Sequence, residues 1–321
     1  MSNYKKISSK IEKLIIDRPG NNIILNWLNI VDAGRKEIDY LHKEYQFNLG
    51  HLHSSAATVF SQRPMVAAEE GYLFLILHFP TFVKDKIIAG EIEFFIGHGY
   101  LVSLHNNNIP ALKEFFDKAK QGQDGLLSYH TESSATLLYE ILNHLLQSCY
   151  LLIDQNSLEI EEVEDLIFEH HQKEAVAKIL NLRRNIINIR KIMQNHKNIL
   201  QQLMSMSSTL VSHDDLKKQY GHLVDHSKRI WEMLDNQKEM VNVLNDTNES
   251  LLNDRMSNIM KTLTLFSVIL YPLTLMAGIF GMNAKYMPFV DHRFGFWIIL
   301  FIMALGSFSM LRYFKSKNWL S

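Results

Sequence analysis

Two stretches near the C-terminal end hold no formally charged residue: positions 262–284, between Lys261 and Lys285, and positions 294–311, between Arg293 and Arg312. At about 1.5 Å of rise per residue the first reaches across a hydrocarbon core of about 30 Å, and the second falls slightly short. Tyr313 and Phe314 lengthen the second into the interface, and Trp297 and Trp319 stand where an aromatic belt is expected. The competing reading is a helical hairpin buried in a soluble core. Two long uncharged runs joined by a short polar loop favour spanning.

Ahead of these stretches the pattern is that of a chain folded in water. From about Ile7 to about His105 strand and helix signals alternate. Ile23 to Leu28, after the Pro19-Gly20 turn signal, reads as a strand, as do Tyr72 to Phe79, the alternating Glu91 to Ile96, and Tyr100 to His105. Lys84-Asp85-Lys86 and Gly97-His98-Gly99 read as hairpin connections, so the predicted sheet is antiparallel or mixed. Asp32 is expected to cap a helix over Arg35 to Tyr45.

After Pro110 the period becomes helical. Glycine and proline nearly vanish between Gly125 and Pro272, Gly221 excepted, and Leu137, Leu138, Ile141, Leu142, Leu145 and Leu146 recur at helical spacing. Breaks are expected around Glu169 to Lys173 and around Ser205 to Ser212. The last helix runs from about Asp214 straight into the first uncharged stretch, longer than an ordinary globular helix, which suggests a stalk packed against neighbours. The expected organisation is an α+β domain over 1–125, a helical hairpin over 126–213, stalk and first span over 214–284, an external loop over 285–293, a second span over 294–314 and a basic tail over 315–321.

Charge then orients the chain. The loop carries Lys285, Asp291 and Arg293, nearly balanced, whereas the tail carries Arg312, Lys315 and Lys317 without an acid, so both termini are expected in the cytoplasm. Met1 to Lys13 is polar and lysine-rich, unlike a secretory signal. Cys149, the one cysteine, has no intrachain partner and reads as a small buried hydrophobe. A formal net charge of −1 over the whole chain argues against a nucleic-acid partner. Locally the charges segregate: Glu159, Glu161, Glu162, Glu164, Asp165 and Glu169 precede a basic run of Lys178, Arg183, Arg184, Arg190 and Lys191. Two solvated faces attracting each other in an antiparallel hairpin account for this, and a cation-attracting role is the alternative.

In the first span Met260, Thr264, Ser267, Tyr271, Thr274 and Gly278 recur at alternating steps of four and three and share one face, the more polar one. Such a face is expected against other helices or water rather than lipid, and plain helix–helix packing explains it as well as a pathway does. Two helices cannot enclose a water-filled route, so a pore requires several subunits in a ring.

The span ends in Gly281-Met282-Asn283. Here the chain resembles the CorA magnesium-transporter family, whose signature is Gly-Met-Asn at the outer end of the first of two transmembrane helices. The likeness extends over Tyr271-Pro272-Leu273-Thr274-Leu275-Met276-Ala277-Gly278-Ile279-Phe280-Gly281-Met282-Asn283, the following Tyr286-Met287-Pro288 and the closing Tyr313 to Leu320. Gln62-Arg63-Pro64, Tyr72-Leu73-Phe74 and Asp225-His226 add weaker agreement. The resemblance implies a funnel-shaped homopentamer in a lipid bilayer, an α/β cytosolic domain and a pore lined by the first membrane helix, with Mg2+ as transported and regulatory ion and no further cofactor. Gly281, Met282 and Asn283 are then the selectivity filter. Gly281 is expected to let the chain turn sharply, Met260, Leu263 and Tyr271 to form apolar constrictions, and Thr274 and Gly278 to offer oxygens to the hydrated ion.

Departures accompany the likeness. Phe289 follows Met287-Pro288 where the family often carries a glutamate, which leaves Asp291 as the one loop acid. Asp225, Asp246 and, loosely, Asp85 stand where inhibitory cation sites are expected, and His222 takes a position where aspartate is common. Imidazole suits zinc, cobalt or nickel better than magnesium; a surface stalk histidine is the plain alternative. No metalloprotease, Cys-x-x-Cys, Ser–His–Asp or phosphate-loop motif occurs among the fifteen histidines and their neighbours, so no enzyme is expected. Three functions stay open: a passive Mg2+ channel gated by cytosolic divalent cations, a transporter of Zn2+, Co2+ or Ni2+ on the same architecture, and a membrane-anchored sensor or scaffold that conducts nothing.

Overall fold

The structure is a computed structural model that describes residues 2–17, 24–55, 62–83, 86–121, 133–206, 214–282, 288 and 293–317. It divides into two units, Met1–Asn245 and Asp246–Ser321.

In the first unit β1 (Ser2–Lys6), β2 (Ile11–Asp17), β3 (Ile24–Val31), β4 (Met65–Glu69), β5 (Tyr72–Val83), β6 (Lys86–Gly97) and β7 (Tyr100–His105) form one sheet in the order β1-β2-β3-β7-β6-β5-β4. Among the described strands only β3 and β7 run parallel, Trp27 opposite Leu101; the sheet is mixed, as the hairpin signals predict. Strands β3, β5, β6 and β7 stand where the apolar runs place them. Each of β5 and β6 extends beyond its run. Strands β1, β2 and β4 fall outside the sequence expectations. β1 is polar throughout, and its register is held from outside: Tyr4 donates to Glu12 at 2.5 Å, and the Lys120 ammonium sits 3.7 Å above the Tyr4 ring. At Gly97-His98-Gly99 the turn requires glycine twice. Gly99 has φ +76°, and a Cβ on Gly97 would lie 2.1 Å from the Tyr100 ring. Lys84 and Asp85 lie outside the described residues.

Helix α1 (Arg35–Tyr45) occupies its expected range, but Asp32 is not its cap. Asp32 adopts φ +51°, and the cap is Gly34, whose N–H donates to Glu37 Oε2 at 2.9 Å. With α2 (Leu49–Ser54) it covers one face of the sheet, where Ile38, Leu41, Phe47 and Leu52 bury Leu28, Ile30, Phe74, Ile76, Phe95 and Val102. The opposite face meets α3 (Pro110–Lys120), α4 (Ser134–Phe168) and α5 (Gln172–Met193). There Trp27 packs on Phe115 and Phe116, ring centroids 5.9 and 4.8 Å away. α4 ends and α5 begins within the expected break. α6 (His196–Ser205) is separated from α5 by a break that no glycine or proline marks.

α7 (Asp214–Phe280) is a single helix, as expected. Its buried residues Tyr220, Leu223, Ser227, Ile230, Leu234, Gln237, Val241 and Leu244 alternate steps of three and four, a seam of coiled-coil type that α4 and α5 share. A polar layer interrupts it at Gln237, which donates to Ile153 O at 2.7 Å and Ser157 Oγ at 2.9 Å, and accepts from Asn156 at 3.3 Å. That layer satisfies its polar atoms only when α4 and α7 sit in this register, because a slip would leave buried amides unpaired. Cys149 is buried in the α4 stripe, its thiol pushed up to about 12 by burial, which makes it the inert hydrophobe expected.

Buried titratable groups set the pH response of this unit. Burial lowers His105 and His196 to about 4 each; the neighbouring His78 reinforces this at His196. Burial, aided by Glu91 and opposed by a hydrogen bond from Ser55, raises Glu93 to about 8. The histidines withhold protons that the unfolded chain binds, so their contribution is lost as pH falls from 6.5 toward 4. Glu93 keeps a proton that the unfolded chain releases, so its contribution is lost as pH rises from 4.5 toward 8. Unfolding temperature in detergent is expected to peak near pH 6.5 and to decline on both sides. Glu93→Gln should remove the alkaline decline; an unchanged profile in that variant would refute the assignment.

Candidate functional site

The second unit holds the end of α7 and α8 (Gly295–Ser316), two helices long and apolar enough to cross a membrane. Only 6% of the most apolar window of each is buried, so neither is a core helix of this chain, and the buried soluble hairpin is set aside. Trp297 is exposed on α8; Trp319, like Lys285 and Asp291, lies outside the described residues.

Burial divides the α7 surface in two. Leu265 is buried, and Lys261, Ile269, Pro272, Leu273, Met276 and Phe280 are half-covered. Met260, Leu263, Thr264, Tyr271, Thr274 and Gly278 are exposed, with Ser267 half-covered. At about 100° per residue the two sets point in nearly opposite directions. The stripe singled out from sequence is therefore the side left open, with Tyr271 74% exposed. Its hydroxyls are not idle: Thr264 Oγ1 donates to Met260 O at 2.8 Å, Ser267 Oγ to Leu263 O at 2.9 Å and Thr274 Oγ1 to Leu270 O at 2.5 Å. The hydrogens are thus satisfied within the helix, and only oxygen lone pairs point outward, as acceptors. Such a stripe can be dry or wet, which sequence periodicity does not reveal.

Pro272 sits inside the helix and deprives Val268 O of its usual donor. The helix tightens at its end, where Gly281 N–H donates to Ala277 O at 2.9 Å and Met282 N–H to Ile279 O at 3.2 Å. Gly281 does not take a left-handed conformation, and the turn expected after it runs into residues outside the described ones. A Cβ there would lie 3.0 Å from Ala277 O, a tight fit against the carbonyl that its own N–H bonds. Met282 is 64% exposed; Asn283 lies outside the described residues.

Of the expected regulatory residues, His222 and Asp225 stand exposed on α7 within the first unit, Asp246 is exposed in the second, and Asp85 lies outside the described residues. His226, one turn beyond His222, enters only as a point of family likeness in the sequence. Its Nδ1 lies 3.0 Å from the Tyr150 hydroxyl of α4, and burial, Arg229 and His222 lower its pKa. Spacing of four on a helix was the signal for the pair; Tyr150, distant in sequence, left none. Across the charged hairpin Lys178 pairs with Glu162, in line with attracting faces. Arg190, however, turns to α7, 2.8 Å from Asp235 and over the Trp231 ring. Among the described residues no three His, Cys, Asp or Glu side chains are placed to hold a metal ion.

Known proteins share this architecture. A cobalt/magnesium transport protein CorA of Thermotoga maritima is 25% identical over 299 residues, 92% of this chain and 83% of that protein. A putative metal ion transporter, YfjQ, of Bacillus subtilis is 24% identical over 258 residues, 80% of this chain and 79% of its own. The solved structure of the CorA magnesium transporter of Methanocaldococcus jannaschii superposes with a TM-score of 0.84 over 99% of this chain and 98% of that one, at 21% identity, a likeness of fold. The profile of the CorA-like Mg2+ transporter protein family matches residues 24–316. The chain belongs to that family.

Proposed function

We propose that the chain is one subunit of a membrane-embedded homo-oligomer, a pentamer on the family resemblance, that lets divalent cations, Mg2+ foremost, pass inward down the membrane potential. Both termini lie in the cytoplasm in this reading. The observation that carries it is the open side of α7: an acceptor-bearing stripe from Met260 to Gly278, away from the covered side, leads to Gly281-Met282-Asn283. Copies in a ring would turn those sides toward a common axis.

The chemistry suits magnesium. The ion is small, holds its waters tightly and sheds them reluctantly. A ring of neutral Asn283 amide oxygens accepts hydrogen bonds from coordinated water without the attraction by which carboxylates would trap the ion. Along the stripe, Thr264, Ser267 and Thr274 offer lone pairs to the same hydration shell, while Met260, Leu263 and Tyr271 narrow the path and gate it by dewetting. Stalk residues His222, Asp225 and Asp246, with Asp85, supply cytosolic cation sensing.

His222 supports a second reading, in which the same architecture moves Zn2+, Co2+ or Ni2+. Flux of Mg2+, Co2+, Ni2+ and Zn2+ into proteoliposomes at fixed potential separates the two. Potential-driven Mg2+ entry is the expected result. Zn2+ flux without Mg2+ flux would replace the reading by the second, and no flux of any ion would leave a sensor or scaffold.

A further inference from the structure

A cavity of about 380 Å³ lies between the α4–α5 hairpin and the Val83–Lys86 end of the β5–β6 ladder, a volume within the range of small-molecule sites. α5 is tied to the ladder beside it, where Asn188 Nδ2 donates to Ile87 O at 3.4 Å. α4 lines the cavity with Glu159, Glu162 and Val163, α5 with Lys178, Arg184 and Asn185, and β5 with Phe82. Lys178 is taken up by its ion pair with Glu162. One cation and one anion remain: among the described residues neither Arg184 nor Glu159 has an ion-pair partner, although Glu159 is half-covered. Asn185 Oδ1 is buried without a hydrogen-bond partner, an acceptor that lacks an N–H. Phe82, 45% exposed, offers an aromatic face to the same space as the buried Val163. Attraction between the two helices accounts for Lys178 and Glu162, but not for a half-covered carboxylate and a buried amide oxygen left unanswered.

The charges select the ligand. Lys178 and Arg184 both repel a metal ion, and a nucleotide's phosphates need several cations where a single guanidinium is free. A ligand with one carboxylate, one ammonium and an apolar side chain answers every group. Its carboxylate pairs with Arg184, whose guanidinium matches a carboxylate with two parallel hydrogen bonds. Its ammonium, a donor only, suits Glu159 and Asn185 Oδ1, and its side chain covers Phe82 and Val163. We propose that this cavity binds a free α-amino acid with an apolar or aromatic side chain, held as the zwitterion by Arg184 and Glu159. The site lies wholly within the first unit, and its binding does not depend on the channel reading above.

The test is equilibrium dialysis of radiolabelled L-phenylalanine against the purified full-length protein in detergent. Phenethylamine, which lacks the carboxylate, and 3-phenylpropionate, which lacks the ammonium, serve as competitors. One saturable site per chain is expected, with each competitor at least about tenfold weaker than phenylalanine itself. Arg184→Met and Glu159→Gln should each lower the affinity about tenfold or more, because each removes a charge-assisted contact. Glu159→Gln should also narrow the gap between phenylalanine and 3-phenylpropionate, a change that a merely structural role would not produce. Phe82→Ala should weaken L-phenylalanine more than L-alanine, and unfolding temperatures of the three variants should stay near wild type. Absence of saturable binding of both L-phenylalanine and L-leucine by the wild-type protein overturns the site. Wild-type affinity in the double Arg184→Met, Glu159→Gln variant overturns its assignment to this cavity. Competition by 3-phenylpropionate as strong as by phenylalanine overturns the ammonium contact, and with it the amino-acid class.

Discussion

Replacing Asn283 by leucine is expected to reduce Mg2+ flux at least about a hundredfold while the oligomer still assembles. Each subunit would lose an amide oxygen that accepts from the ion's water, worth about 1 kcal/mol net per hydrogen bond. Summed around a ring of several copies, the loss reaches several kcal/mol, and about 1.4 kcal/mol is a factor of ten in rate. Leucine has as many side-chain heavy atoms as asparagine and follows an apolar stretch of sequence, so the fold has no reason to fail. Asn283→Asp probes the other direction. A ring of carboxylates holds the ion harder, so binding of Mg2+ should tighten and maximal flux fall. The measurement is Mg2+ entry into proteoliposomes at fixed potential, with oligomeric state read by size-exclusion chromatography with light scattering. Wild-type flux in Asn283→Leu would remove the filter from this position.

What could be read from the sequence follows from which interactions are local. Strand β7 and the long α7 were legible because a strand's alternation and a helix's period are written in consecutive residues. The open stripe on α7 was legible for the same reason. Its hydroxyls, bonded back to the preceding turn, were not, because a polar side chain looks alike in sequence whether it serves its own backbone or a ligand. Strand β1 escaped because its partners, Glu12 and Lys120, are supplied by β2 and the end of α3. The cap of α1 was misplaced by two residues, since Asp32 is a strong cap by type, yet its backbone turns left-handed to leave β3. Gln237 is buried at a helical position where apolar residues prevail, and nothing local marks a buried polar group whose partners, Ile153, Asn156 and Ser157, come from another helix.

Trp27→Ala is expected to lower the stability of the α/β layer by about 3–5 kcal/mol, the range for deleting a large buried aromatic. Trp27 is fully buried in β3, the strand that carries the one parallel pairing of the sheet. Its indole fills the space beneath Phe115 and Phe116 and so fixes α3 on the sheet. Its Nε1–H donates to Ser103 Oγ at 3.1 Å, the first link of a buried chain. Ser103 passes its own hydrogen to Asn29 Oδ1 at 2.9 Å; His105 Nε2–H donates to the same oxygen at 3.1 Å, its Nδ1 accepting from Asn107 N–H at 3.1 Å. Alanine removes the packing and leaves Ser103 without its incoming donor, a loss that phenylalanine separates into parts. Trp27→Phe keeps most of the apolar volume and forfeits the hydrogen bond alone, about 1 kcal/mol. For a unit of this size about 1 kcal/mol corresponds to about 2–4 °C, so thermal unfolding in detergent should fall by roughly 10 °C or more for alanine and by a few degrees for phenylalanine. Equal losses in the two variants would mean that the polar chain, not the aromatic contact with α3, holds the layer together.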